Sequence, residues 1–319
     1  MTTLAEIEHA AAELRAGRLV AFPTETVYGL GADATSASAL YRLYAVKGRP
    51  ADHPVIVHLA EGVDLAEWAT EVPDAARVLA GAFWPGPLTL VLRAAPLVSR
   101  VATGGLETVG LRVPAHPVAM ALLEAFDGGI AAPSANRFGR VSSTTSDAVS
   151  REFGAEVETV LDGVCAVGIE STIVDCTVDE ARVLRPGAIT LEQIGDLLGA
   201  RPELGGATRA PGTLPTHYAP DARVEVVAAS ALDARIRELA DTKVAFGVIT
   251  FGSERHPVGP AIAVTLATPA SLEEYASVLY STLRKADDLG MDVVLAVAPP
   301  AEGLGVAVMD RLGRAAAGR

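Results

Sequence analysis

Two cations, Lys47 and Arg49, stand two residues apart in Tyr44-Ala45-Val46-Lys47-Gly48-Arg49-Pro50, after an expected helix. Pro50 biases Arg49 out of the helical region. In an extended segment the two side chains project to the same side, and the intervening glycine lets a ligand approach the backbone. Such a pair suits a polyanion; the alternative is that both cations merely complement a helix C-terminus. Composition bears on the choice. Of 26 lysines plus arginines only Lys47, Lys243 and Lys285 are lysines, and a compact ammonium acts as a point charge on phosphate.

Other residues able to do chemistry fall at predicted strand ends. Leu19 to Phe22 reads as a buried strand running into a loop, Pro23 to Gly31, rich in hydroxyls and glycines, and such loops bind ligands in open α/β sheets. The same loop could be a turn whose hydroxyls bond their own backbone. It lacks the third glycine of a dinucleotide fingerprint, and no Gly-Lys-Ser/Thr phosphate loop occurs. His58 interrupts the apolar strand Val55 to Leu59, as a satisfied core histidine or a ligand contact. Arg112 sits mid-strand in Val109 to Val113, either an edge residue reaching water or an anion contact. Pro133-Ser134-Ala135-Asn136, with Arg137, Arg140 and Ser142 to Ser146 behind it, is a second candidate anion wall or an N-cap cluster for the helix Asp147 to Phe153.

The elements positioning these groups alternate helix and strand. Helices are expected over Leu4 to Ala16, closed by Gly17, from Ser36 or Ser38 to Lys47, around Asp74 to Phe83, and from the Thr190/Gln193 capping box to Leu198. Gly168 to Asp175 and Val183 to Gly187 read as strands with polar ends. Gly205 to Pro220 is dense in glycine and proline without periodicity, which predicts a linker outside any core. Beyond it, Val224 to Ala228, Val244 to Thr250 and Val293 to Val297 alternate with helices to Ala317, implying a small open parallel sheet. The organisation expected is a first domain over 1–204, a linker or lid over 205–221 and a second α/β domain over 222–319.

At 319 residues two proper cores fit. A net charge of -13 argues against tight, sequence-independent nucleic-acid binding, leaving at most transient RNA contact. Within this acidic chain Lys47, Arg49, Arg112, Arg137, Arg140 and Arg185 fall where a local positive pocket would be built. Charges interrupt every long apolar run, so no membrane span is expected. The acidic N-terminus is wrong for a secretory signal, and a cytoplasmic location is expected. Cys165 and Cys176 read as buried reduced thiols, and the six histidines lack metal-ligand spacing.

Taken in order, Phe22 to Leu30, Lys47-Gly48-Arg49-Pro50, Trp84 to Thr89, Gly110 to Pro114, Pro133 to Asn136 and Glu170 to Asp175 resemble the YrdC-like family over roughly Leu4 to Gly199. Pro211-Gly212, His217-Tyr218-Ala219-Pro220 and the trailing α/β unit resemble its two-domain threonylcarbamoyl-adenylate synthases. The resemblance implies a twisted mixed sheet with a concave active-site face, plus a smaller C-terminal Rossmann-like open sheet. It implies a cytoplasmic nucleotidyltransferase that joins L-threonine, bicarbonate and ATP into threonylcarbamoyl-AMP and pyrophosphate, with Mg²⁺ bridging the phosphates. A partner complex would then move the threonylcarbamoyl group onto tRNA.

Carried over residue by residue, Lys47 and Arg49 with Ser134 and Asn136 go to the triphosphate, supported by Ser142 and Arg185. Thr26, His58, Arg112 and Ser171 are the threonine-side residues, Arg112 pairing the carboxylate. Thr108 and Ala132 align with backbone-type contacts to the nucleotide and threonine. Tyr218 matches a tyrosine near the nucleotide on a linker that closes over the pocket. His53 departs from the family, which usually has asparagine there, and so does Thr213 to Thr216, where relatives carry basic and aromatic residues. Two other readings differ in class: an O-carbamoyltransferase, whose metal-binding catalytic domain the histidine-poor C-terminal unit does not provide, and an RNA-binding module, disfavoured by the acidic balance.

Overall fold

The computed structural model describes residues 2–157, 159–214, 217–252 and 263–318. They form two compact units: Met1–Phe138 with Ser142–Thr213, and Gly139–Val141 with Leu214–Arg319. The division falls inside the segment expected to be a linker.

In the first unit the elements run α1 (Leu4–Arg15), β1 (Val20–Phe22), β2 (Gly29–Asp33), α2 (Ala37–Lys47), β3 (Ile56–His58), β4 (Ala69–Glu71), α3 (Asp74–Phe83), β5 (Leu88–Ala94) and β6 (Thr108–Arg112). Then come α4 (Pro117–Phe126), β7 (Ile130–Ala131), α5 (Ser146–Phe153), β8 (Thr159–Val160), β9 (Thr172–Asp175), β10 (Arg182–Arg185) and α6 (Leu191–Leu198). Helix ends follow the local chemistry. Thr3 and Glu6 close a capping box on α1, Thr190 and Gln193 one on α6, and the Ser36 hydroxyl accepts the Ala39 N–H to start α2.

The strands make one mixed sheet in the order β10-β9-β5-β6-β3-β7-β2-β1-β8, with β4 on β5. β3 runs parallel to β6, with Ile56 opposite Gly110 and His58 opposite Arg112. β7 is antiparallel to β3, with His58 opposite Ile130. One face carries Val57, Leu90, Leu111 and Val174 into the main core, which Leu43 of α2 and Leu79 of α3 complete. The other is split: α1 and α4 cover Phe22, Ile130 and Ala132, while Ile56, Val91, Ile173 and Leu184 meet Ala210.

Three expectations need correction. Lys47 is the last residue of α2, not part of an extended segment, and Gly48 supplies the left-handed cap at φ 64°. Nothing lies within 4 Å of where its Cβ would be, so the positive φ rather than a close approach accounts for this glycine. Gly29 to Gly31, read as the end of the loop, open strand β2, because small residues there let β1 and β7 pack closely. The segment 205–220 does contribute to cores: Ala210, His217 and Tyr218 are buried. Lack of periodicity excluded regular structure there, not burial. Pro215 and Thr216 lie outside the described residues.

The second unit comprises β11 (Arg223–Val227), α7 (Ala229–Ala240), β12 (Phe246–Ile249), β13 (Ala263–Ala267), α8 (Leu272–Asp288), β14 (Val293–Val297) and α9 (Leu304–Ala316). The sheet order is β11-β14-β12-β13, all parallel. Leu232, Ile236 and Leu239 of α7 pack on Phe246, Val248, Leu295 and Val297. Among the described residues no helix is long and apolar enough to cross a membrane.

A Cβ on Gly31 would stand 2.9 Å from both Ile130 Cγ2 and Phe22 Cε1, in the fully buried layer between β1 and β7. Gly31→Ala is therefore expected to destabilise the first unit by about 1–3 kcal/mol, as overpacking does. Urea unfolding that matches the parent within about 0.5 kcal/mol would contradict this packing.

Candidate functional site

Strand register arranges the site in two levels. Continuing the β3–β6 pairing two residues back brings Thr108 level with Pro54, and continuing the β3–β7 pairing brings Ser134 to the same level. Four residues further along, His58 and Arg112 stand opposite each other. At about 3.3 Å per residue the two levels are roughly 13 Å apart. Alternation places Ile56, His58, Gly110, Arg112 and Ala132 on one face.

The first level collects Lys47, Arg49, Ser134 and Asn136. Lys47 Nζ, buried at the end of α2, donates to the carbonyl oxygens of Ser134 and Asn136. Its own carbonyl accepts the Phe138 N–H at 2.8 Å. The Ser134 hydroxyl meets Asn136 Oδ1 at 2.6 Å, and a bridge from Gly29 to Ser134 ties this turn to β2. Arg49 donates from Nη2 to Pro54 O at 2.7 Å and lies 5.7 Å from the Phe138 ring centre. His53 meets the same ring edge-on at 5.5 Å. Burial first, and then the adjacent Arg49 charge, lowers the Lys47 ammonium well below its usual pKa. An anion in contact would relieve both costs.

The second level collects Thr26, His58, Arg112 and Ser171. Arg112 is not an edge residue: it lies buried on a central strand, donating from Nε to Gly86 O at 3.2 Å and from Nη1 to Thr26 Oγ1 at 3.0 Å. Thr26 reaches it because the β1–β2 loop folds back over the sheet face. Thr24 Oγ1 holds that loop, accepting from Thr26 and Val27 N–H. Ser171 Oγ lies 2.8 Å from Thr89 Oγ1. Arg185, expected with the phosphates, donates to Ser171 O at 2.9 and 3.1 Å and to Pro211 O at 2.9 Å. Ser142 donates to Glu170 at 2.6 Å. Tyr218 belongs to the second unit, where it stacks on Tyr280 at 5.5 Å with Arg311 5.2 Å from its ring centre.

Two acidic residues were missed in the sequence: Glu25, paired with Arg112, and Glu170, buried against Ser142. A signal existed for the first, a carboxylate flanked by two threonines in the loop already singled out. Cys165 and Cys176 are free buried thiols, pushed up to about 12 by burial. Among the described residues no group of three or more His, Cys, Asp or Glu is gathered to hold an ion.

His58 is fully enclosed, and its Nδ1 has no hydrogen-bond partner among the described residues. Burial, followed by the Arg112 charge, brings its pKa down from 6.5 to about 3. The unfolded chain therefore takes up the proton first as pH falls. Stability from keeping His58 neutral is whole above about 6.5 and is lost as pH falls from there toward 3, by up to about 1.4 kcal/mol per unit. His58→Gln is expected to flatten that part of a denaturation-versus-pH profile. A slope identical to the parent between pH 6 and 4.5 would contradict a neutral His58.

Comparison with known proteins gives a consistent relationship. The Sua5/YciO/YrdC family model, described as "Telomere recombination", matches residues 12–187, and the "Threonylcarbamoyl-AMP synthase, C-terminal domain" model matches 189–317. A threonylcarbamoyl-AMP synthase of Pyrococcus abyssi is 41% identical over 97% of this chain and 94% of its own. One from Bacillus subtilis is 39% identical over 98% and 94%. The crystal structure of P. abyssi Sua5 complexed with L-threonine superposes with a TM-score of 0.92 at 41% identity, covering 99% of this chain and 96% of that one. With both family models matched in sequence over nearly its whole length, the chain belongs to the Sua5/YciO/YrdC family in its two-domain form.

Proposed function

We propose that this protein is a threonylcarbamoyl-AMP synthase, a nucleotidyltransferase that forms L-threonylcarbamoyladenylate and pyrophosphate from L-threonine, bicarbonate and ATP. The observation that carries this reading is the two-level arrangement: Lys47 and Arg49 converge with Ser134 and Asn136, and Arg112 with His58 and Thr26 lies about 13 Å along the same strands. An amino acid laid end to end with a triphosphate fills such a span.

The chemistry follows from the residues. The amine of threonine and bicarbonate give an N-carboxylate with loss of water, and a carboxylate oxygen then attacks the α-phosphorus and expels pyrophosphate. Catalysis of such a transfer is mostly positioning and neutralisation of charge on phosphate oxygens, with no protein nucleophile required. Lys47 and Arg49 supply the neutralisation, and the Ser134–Asn136 turn, with Thr108 and His53 at the same level, orients the nucleotide. Arg112 takes the threonine carboxylate, with Thr26, Ala132 and Ser171 beside it. His58, neutral at physiological pH, stands opposite Arg112 without adding charge. Mg²⁺, where bound, would supply further neutralisation of the phosphates.

Arg185, bonded to Ser171 and Pro211, links the threonine end to the segment that brings Ala210 onto the sheet face, which supports 205–214 as part of a lid. The product would pass in the cytoplasm to a complex that modifies tRNA, with tRNA contact here at most transient.

Purified protein is expected to release pyrophosphate from ATP only when threonine and bicarbonate are both present. Lys47→Ala or Arg49→Ala should lower the rate by about 100-fold or more. Turnover with carbamoyl phosphate in place of those two substrates would sink the assignment. Hydrogen exchange at 205–214 should slow when threonine and ATP are added together; unchanged protection would remove the lid.

A further inference from the structure

Arg112 lies on a central strand with its guanidinium almost out of solvent, where a lone cation would be strongly unfavourable. Glu25 meets it there. Its Oε1 accepts from Arg112 Nη2 at 2.6 Å, and its Oε2 accepts the Ala115 N–H at 3.1 Å. The carboxylate is only 13% exposed.

This contact is built in rather than incidental, because the backbone on both sides of Glu25 is pinned. The Glu25 carbonyl accepts Val167 N–H at 2.7 Å and the Thr26 carbonyl accepts Gly168 N–H at 3.1 Å. Thr24 Oγ1 donates to Val27 O at 2.7 Å while accepting from Thr26 and Val27. A surface glutamate that merely found an arginine would have no such support. Of the five N–H groups of a guanidinium, Gly86, Thr26 and Glu25 take one each, leaving one on each terminal nitrogen for a ligand carboxylate.

We propose that Glu25 is a positioning residue for the amino-acid end of the site. It fixes the rotation of the Arg112 guanidinium, and as the resident counter-ion it holds affinity for the incoming carboxylate below what the bare arginine would give. The inference rests on Arg112 receiving the carboxylate of threonine. Two carboxylates sharing one guanidinium repel each other, and in a half-buried site that repulsion is large enough to set the binding constant.

Two variants separate rotation from charge. Glu25→Gln keeps the length and one acceptor oxygen, which stays with Arg112 at the cost of the bond from Ala115 N–H, and removes the charge, so the threonine KM and the calorimetric threonine Kd are expected to fall roughly tenfold. Glu25→Asp keeps the charge but is one methylene short of spanning Arg112 and Ala115 N–H, so both constants should rise by about tenfold. The ATP KM should move in neither. Threonine constants within about twofold of the parent in both variants, or an ATP KM that shifts by the same factor as the threonine KM, would overturn the role of Glu25. If the parent itself neither binds threonine nor releases pyrophosphate, the functional assignment falls and this inference with it; an active parent with unshifted variants sinks only the latter.

Discussion

The structure depends on keeping cations buried inside an acidic protein. Lys47, Arg49, Arg112 and Arg185 are each less than 10% exposed, in a chain of net charge -13. Carbonyl oxygens do much of the holding: Ser134 and Asn136 for Lys47, Pro54 for Arg49, Gly86 for Arg112, Ser171 and Pro211 for Arg185. A carbonyl dipole orients and partly solvates a charge but does not neutralise it. The result is a fixed positive potential in a region of low dielectric, where an anion gains most. Burial already depresses the Lys47 ammonium, so binding a polyanion and stabilising the lysine in its charged form are one event.

Arg112, four residues further along the strands than the Lys47 cluster, has a resident counter-ion. Its guanidinium meets a full carboxylate, that of Glu25, at 2.6 Å. A triphosphate brings several charges and tolerates a strongly positive cradle. An amino acid brings one carboxylate beside an amine that must act as a nucleophile, and an uncompensated guanidinium there would bind it too tightly to turn over.

Much of this could be read from the sequence, for identifiable reasons. The scarcity of lysine drew attention to Lys47, and the alternation of Val109, Leu111 and Val113 put Arg112 on a strand. What periodicity does not encode is which strand is central, so the buried and edge readings of Arg112 stayed open until pairing with β3 and β5 was known. Local rules also misassigned a cause. Gly48 and Pro50 argued for an extended pair of cations, whereas the αL cap turns the chain at Gly48 and Lys47 reaches Ser134 from a helix. Glu25 was hidden because its partner is 87 residues away, and Ala210 because a single buried alanine in a Gly/Pro segment leaves no pattern.

The mixed character of the sheet is what makes the phosphate end possible. α2 precedes β3, so its C-terminus, with Lys47 and Arg49, lies where β3 begins. In an all-parallel sheet the loop after β7 would emerge at the opposite edge, beside the ends of β3 and β6, and Ser134 could not meet Lys47. Because β7 runs antiparallel to β3, the turn that follows it comes back to the start of β3 and presents its carbonyls to Lys47. His58 and Arg112 at the ends of the parallel pair, and Ser134 just past β7, all stand at strand C-terminal ends, where open α/β sheets bind ligands, even though those ends lie at opposite edges of the sheet. Reversing one strand thus stretches a single site along the strands rather than across one edge, which is what a two-headed ligand requires.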